Sequence, residues 1–123
     1  MAAPNIVNIS SIIGASATLA LTTSAQSLVS NAASSGSLIK VNSIYVANVD
    51  GTNNATLTLN YYSAAALGGT ATAICSTITV RANTTVIVID KNAPIYLAED
   101  KSLGALASAS GDLVAVVSYE TIS

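Results

Sequence analysis

From Leu38 onward the pattern sharpens into strand-like runs, and over "NATLTLNYY" apolar and polar residues alternate with the period of two that a half-buried β-strand requires. The stretch "SLIKVNSIYVANVDG" reads as a long β-branched strand ending at Asp50-Gly51, and "NATLTLNYY" follows after a loop of turn-tolerant residues. In the latter, Ala55, Leu57, Leu59 and Tyr61 share one face, and Thr56, Thr58, Asn60 and Tyr62 share the other. Gly68-Gly69 breaks the pattern, and "AICSTITVRANTTVIVID" then supplies two strands around an "RAN" turn. In the first of these Ile74, Ser76, Ile78 and Val80 share a face; in the second Thr85, Ile87 and Ile89 alternate with Val86, Val88 and Asp90. Pro94 opens a short strand, where its missing N–H costs least, and "SLGALAS" and "LVAVVSYETI" complete the set.

The first third is less regular. Ile6–Ile13 and Ala17–Thr22 read as strands separated by Gly14, the composition of Ala25–Ala33 also admits a short helix, and Ala32–Ser37 is a run of small residues. Residues 1–36 are therefore expected to form N-terminal strands or an arm that reaches a neighbouring subunit, and residues 37–123 a β-sandwich. Seven or eight strands at turn spacings of roughly ten residues predict an all-β, antiparallel sandwich of jelly-roll or immunoglobulin-like type. The closing strand is expected to lie in the middle or at an edge of a sheet, with the Tyr119 ring inward and its hydroxyl at the rim.

Composition narrows the picture. The chain has 123 residues, enough for one core, and that core must be aliphatic because there is no Phe and no Trp beside 12 Ile, 11 Val, 11 Leu and 5 Tyr. Charged residues make up 8% of the chain, whereas about 25% is usual. A surface this neutral, with mean hydropathy of +0.61, points to contact with other subunits. Only Lys40, Arg81, Lys91 and Lys101 are positive, so there is no patch to displace counterions from nucleic acid. No stretch reaches the ~18 apolar residues of a membrane span. The opening "MAAPNIVNISS" lacks the basic residues of a secretory signal, and assembly in a cytoplasm is expected.

Catalytic chemistry finds no purchase. There is no histidine to activate any Ser or Thr, and no Ser-x-x-Lys motif, so no catalytic residues, no cofactor and no enzyme activity are expected. Glu99, Asp100 and Asp112, like "VDGTNN", miss the spacing of a calcium loop and read as solvated turns, so no metal is expected. Cys75, alone in a strand-like run, reads as a small buried hydrophobe. Arg81 either pairs with an acid at a subunit contact or faces solvent from its turn. Tyr61 and Tyr62 read as one core and one edge residue, or as stacking platforms for a glycan. Together with Tyr96 and Tyr119, Arg81 and these two tyrosines form the candidate interface set.

The stretches "IKVNSIYVANVDGTNNATLTL", "ITVRANTTVIVIDKNAPIYLAEDKSL" and "ASASGDLVAVVSYETIS" resemble, in order and turn type, small structural proteins of tailed bacteriophages, especially those of marine and cyanobacterial phages. The resemblance runs from Ser37 to Ser123. It implies a non-enzymatic virion protein that decorates or cements the outside of an icosahedral head, often as a homotrimer, with the major capsid protein as partner. A tail, fibre or adhesin module that binds host glycans through Tyr61, Tyr62 or Tyr96 is the alternative.

Overall fold

Nine strands form two antiparallel sheets in the protein, a computed structural model that describes residues 8–123. They are β1 (Ile12–Ala20), β2 (Gln26–Asn31), β3 (Leu38–Asn48), β4 (Ala55–Ala64), β5 (Gly68–Val80), β6 (Thr85–Ile89), β7 (Ile95–Leu97), β8 (Lys101–Ala107) and β9 (Leu113–Ile122). One sheet runs β1-β9-β3-β6, with β7 also on β3; the other runs β2-β8-β4-β5.

The pairing is nested. The β4–β5 hairpin is innermost; around it β3 pairs with β6 and β7, then β2 with β8, and finally β1 with β9. Strands β1 to β4 thus alternate between the sheets, which makes this a jelly roll. An immunoglobulin-like sandwich would keep its first two strands in one sheet. The count is nine because one strand position is broken. Strand β6 lies against Ile44–Ala47 and β7 against Ile39–Val41 of the same strand β3. Between them the Ala93 N–H donates to the Asp90 carbonyl (3.0 Å) and the Asn92 N–H to Asp90 Oδ1 (2.9 Å), and Pro94 has no N–H to extend the ladder.

The core is a thin aliphatic layer. Val41, Ile44 and Val46 of β3 and Leu113, Ala115 and Val117 of β9 line one sheet; Leu57 and Leu59 of β4 and Leu103, Ala105 and Ala107 of β8 line the other. Strand β9 sits inside its sheet, between β1 and β3. Tyr119 packs on this core.

Five local expectations are corrected. Gly14 does not divide two strands: β1 runs through it in unbroken register with β9, because cross-strand pairing overrides a weak local signal. Of the expected Ile6–Ile13 strand, residues 6 and 7 lie outside the described residues, and only Ile12 and Ile13 are strand. Where a helix was admissible over Ala25–Ala33, the chain forms β2, whose bulge between Ser27 and Val29 buries both Leu28 and Val29. In β5 the register shift near Thr77, whose φ is +48°, brings Cys75 rather than Ile74 against the core. A similar shift between Ile44 and Tyr45 sends Ile89 inward and leaves Ile87 outside.

The tip of the β4–β5 hairpin folds onto the outer face of its own sheet. Ala66 (φ +55°) and Leu67 (φ +62°) make a left-handed two-residue turn without glycine, closed by the Gly68 N–H on the Ala65 carbonyl at 3.1 Å. Three side chains fix this strained backbone: Asp100 Oδ1 accepts from the Ala65 N–H, Ser30 Oγ from Ala66 and Ser102 Oγ from Leu67, at 2.9, 3.0 and 3.0 Å. The Leu67 side chain then covers Gly104 on β8, where an added Cβ would meet Leu67 Cδ2 at 2.5 Å and the Gln26 carbonyl at 3.0 Å. Gly104→Ala is accordingly expected to lift the tip and cost roughly 1–3 kcal/mol. Faster amide exchange at Ala65–Leu67 together with a lower Tm would register it.

Candidate interaction surface

The five residues singled out in the sequence do not converge. Tyr61 packs against the core from β4, and its neighbour Tyr62 is buried beside Ser102 of β8. Tyr119 is half-buried on β9. Arg81 is exposed at the β5–β6 turn, which its carbonyl closes by accepting from the Thr84 N–H (3.1 Å) and hydroxyl (2.6 Å). Tyr96 is exposed on β7, on the other sheet from Tyr61 and Tyr62.

At the end of the sandwich near Gly51, a buried asparagine holds both sheets. Asn48, the last residue of β3, donates from Nδ2 to the carbonyls of Asn53 (3.0 Å) and Val80 (2.9 Å), and its Oδ1 accepts from the Asp50 N–H (2.9 Å). Asp50 then caps the loop, its Oδ1 accepting from the N–H groups of Thr52 and Asn53 at 2.8 and 3.2 Å. These backbone bonds, Thr52 first, hold the Asp50 carboxyl below its ordinary value of 3.8. A lowered carboxyl contributes stability that is fully present above the unfolded-chain value and lost as pH falls through the folded one. The Thr52 and Asn53 amide shifts are therefore expected to titrate together, with a midpoint below 3.8. Burial pushes the half-buried Cys75 thiol the other way, upward, which keeps it protonated and unreactive at neutral pH.

The surface with most to offer is the outer face of the β1-β9-β3-β6 sheet, which no element among the described residues covers as the hairpin tip covers part of the other. Register aligns Val116 of β9, Tyr45 of β3 and Ile87 of β6 as direct cross-strand neighbours. They are 36%, 40% and 59% exposed, a continuous apolar row across three strands. The next row carries Val114, Ala47 and Thr85. Two rows the other way, Glu120 lies opposite Lys40, which lies opposite Tyr96. This pair of opposite charges is the only charge that the register places on the face among the described residues. Tyr96 thus does border the apolar face. Its other members escape sequence reading because a row across a sheet joins residues far apart in the chain, and only the register reveals it.

Among the described residues no pocket opens into the sandwich, no three or more His, Cys, Asp or Glu are grouped to share a metal ion, and no helix is long and apolar enough to cross a membrane. The geometry is that of a β-jelly roll with one sheet face left uncovered by the described residues. No protein-family model matches the chain, and no curated protein matches it in sequence. Solved structures do match in fold. A chain from Bacillus endospore appendages, described as a family of disulfide-linked pili, superposes with a TM-score of 0.52 at 13% identity, over 91% of this chain and 85% of that one. A chain of the T13 particle of the icosahedral infectious bursal disease virus superposes with a TM-score of 0.50 at 12% identity, over 93% of this chain. The match spans 31% of the viral chain, so this protein is comparable with one portion of it.

Proposed function

We propose that the protein is a non-enzymatic structural subunit that self-associates, and that it serves as a decoration or cement protein on the outside of a bacteriophage head. The observation that carries this reading is the sheet face left uncovered by the described residues, with its Val116–Tyr45–Ile87 row on a charge-poor jelly roll. Apolar area of this kind contributes about 25 cal/mol per Å² when covered, and many copies in a shell multiply a modest contact. Similarity in fold to a pilus chain and a viral particle chain supports a role in assembly.

In this reading the protein is a homotrimer bound to the major capsid protein, located on the virion surface and assembled in the host cytoplasm. Residues 1–36 tie subunits together, since β1 and β2 make contacts with β9 and β8 of a kind that subunits exchange by domain swapping. Arg81 and Tyr96 are the members of the candidate interface set that a partner reaches without rearrangement; Tyr119 packs on the core beneath that sheet, whereas Tyr61 and Tyr62 belong to the opposite sheet.

Light scattering on the purified protein and co-sedimentation with heads stripped of accessory proteins test the reading. A trimeric mass and saturable head binding are expected. A protein that stays in the supernatant at all concentrations while the heads pellet overturns it. Glycan binding lost on Tyr96→Ala would instead favour an adhesin-type module.

A further inference from the structure

The four sheet edges differ sharply in how they are protected. Strand β2 has six residues and a bulge, and its Ser30 hydroxyl is engaged by the hairpin tip. Strand β5 is long, but its pairing with β4 is interrupted by three register shifts and by the left-handed Thr77. The opposite edge of the first sheet is split into β6 and β7, with Lys91 and Pro94 between them. Short strands, bulges, lysines and prolines are the usual devices that stop an edge from pairing with another chain.

Strand β1 has none of them. It runs nine residues, "IIGASATLA", with no charge and no proline, in uninterrupted register with β9 on one side and no strand on the other among the described residues. Ile12 and Ile13 are 54% and 64% exposed, although Ala17 and Leu19 on the same strand pack against the core. An open row of backbone N–H and C=O groups is satisfied best by another strand, and a strand of identical sequence fits here. About a two-fold axis at Ser16, antiparallel pairing uses all nine residues. It sets Ile13 against Leu19 of the second copy, Ala15 against Ala17, Ile12 against Ala20 and Ser16 against itself. Each such pair falls on one face, because paired residues keep the same parity. The exposed isoleucines then gain apolar cover, and no charge opposes the approach.

We propose that two copies of this chain join edge to edge through β1, antiparallel about a two-fold axis at Ser16, so that their β1-β9-β3-β6 sheets become one continuous sheet. This goes beyond the reading above. A three-fold assembly uses head-to-tail contacts, whereas this contact is isologous and links two chains or two trimers. A strand pair of this length buries less than the ~1,200 Å² of a standard interface, so a dissociation constant on the order of micromolar is expected for the isolated pair.

Charge exchange at Ser16 tests both the contact and its register. Ser16 is exposed, so Lys or Glu there leaves the subunit's core untouched. Across the axis, however, each variant places like charges directly opposite one another. In sedimentation velocity, Ser16→Lys and Ser16→Glu are each expected to halve the mass of the wild-type association and to weaken it at least tenfold. An equimolar mixture of the two is expected to restore it. Unchanged mass in the single variants overturns the proposal, and so does a mixture that fails to recover, which would point to pairing of β1 with a different edge. As a second measurement, Ser16→Cys in a Cys75→Ala background is expected to form a disulfide-linked dimer on mild oxidation; a chain that stays monomeric there also overturns it. Head co-sedimentation is read separately, so loss of head binding with the β1 pair intact defeats the cement reading alone.

Discussion

Leu57→Ala is expected to destabilise the protein by about 3–5 kcal/mol, the upper part of the range for a buried leucine. Leu57 is fully buried in mid-sheet on β4, flanked by Ile78 of β5 and Ala107 of β8. The sandwich has few large side chains with which to close the gap. Its facing layer carries Ala115 and Val117, its own sheet carries Ala55, Ala105 and Ala107, and no Phe or Trp is available to swing in. A cavity lined by short, β-branched or methyl side chains on fixed strands collapses little, so nearly all the lost contact remains lost. At about 4 °C per kcal/mol for a domain of this size, Tm should fall by roughly 12–20 °C. A urea titration separates this from a change in the unfolded state: the midpoint falls while the slope m stays constant. A loss below about 1 kcal/mol would mean that the two sheets slide together over the gap, and that the core is softer than its burial implies.

Asn48→Ala is expected to cost about 2–4 kcal/mol although it removes no apolar contact of consequence. Asn48 is buried, and its amide bridges the sheets by serving the carbonyl of Val80, at the end of β5, from the end of β3. Alanine leaves that carbonyl and the Asn53 carbonyl without a donor and frees the Asp50 N–H, loosening the loop that Asp50 caps. Asn48→Asp is the sharper test. It keeps the shape but cannot donate when ionised, so a carboxylate would face two carbonyl oxygens. The aspartate variant is therefore expected to be at least as unstable as the alanine variant near neutral pH and to recover partly on acidification, as protonation of the new side chain restores one donor. Chemical denaturation at pH 4 and pH 7 distinguishes the two; equal losses at both pH values would assign the effect to packing.

The hydrogen-bonded ends of the sandwich explain how so few charges suffice. Asn31 repeats the Asn48 arrangement on the other strand pair, its Nδ2 donating to the carbonyls of Ser37 and Leu97 at 2.9 and 3.0 Å while Oδ1 accepts from the Ser35 hydroxyl at 2.6 Å. Asparagine, serine and threonine thus do internally what ion pairs do at many protein surfaces, and they leave the outer face of the β1-β9-β3-β6 sheet largely neutral. A neutral face is a poor solvent surface and a good contact surface.

In β3 a register shift between Val41 and Ser43 interrupts the alternation, but over Ala55–Asn60 of β4 it was fully legible, because one face lies on the core and that asymmetry is written in every second residue. So were the turn at Asp50-Gly51, the aliphatic core and the sandwich class. Strands β1 and β5 were harder to read, because edge strands that reach the core with only a few residues carry little alternation in burial. What only the tertiary structure decided was which strands meet. The choice of jelly roll over immunoglobulin-like order depends on β1 closing on β9 and β2 on β8, contacts between residues some 70 to 110 positions apart that no local propensity encodes. Register is decided in the same way. The shifts at Thr77 and at Ile44–Tyr45 reset the period of two, so Cys75 replaces Ile74 against the core and Ile87 joins Tyr45 and Val116 outside. Residue pattern determined what each strand could bury, and the pairing of distant strands determined what remained for a partner to cover.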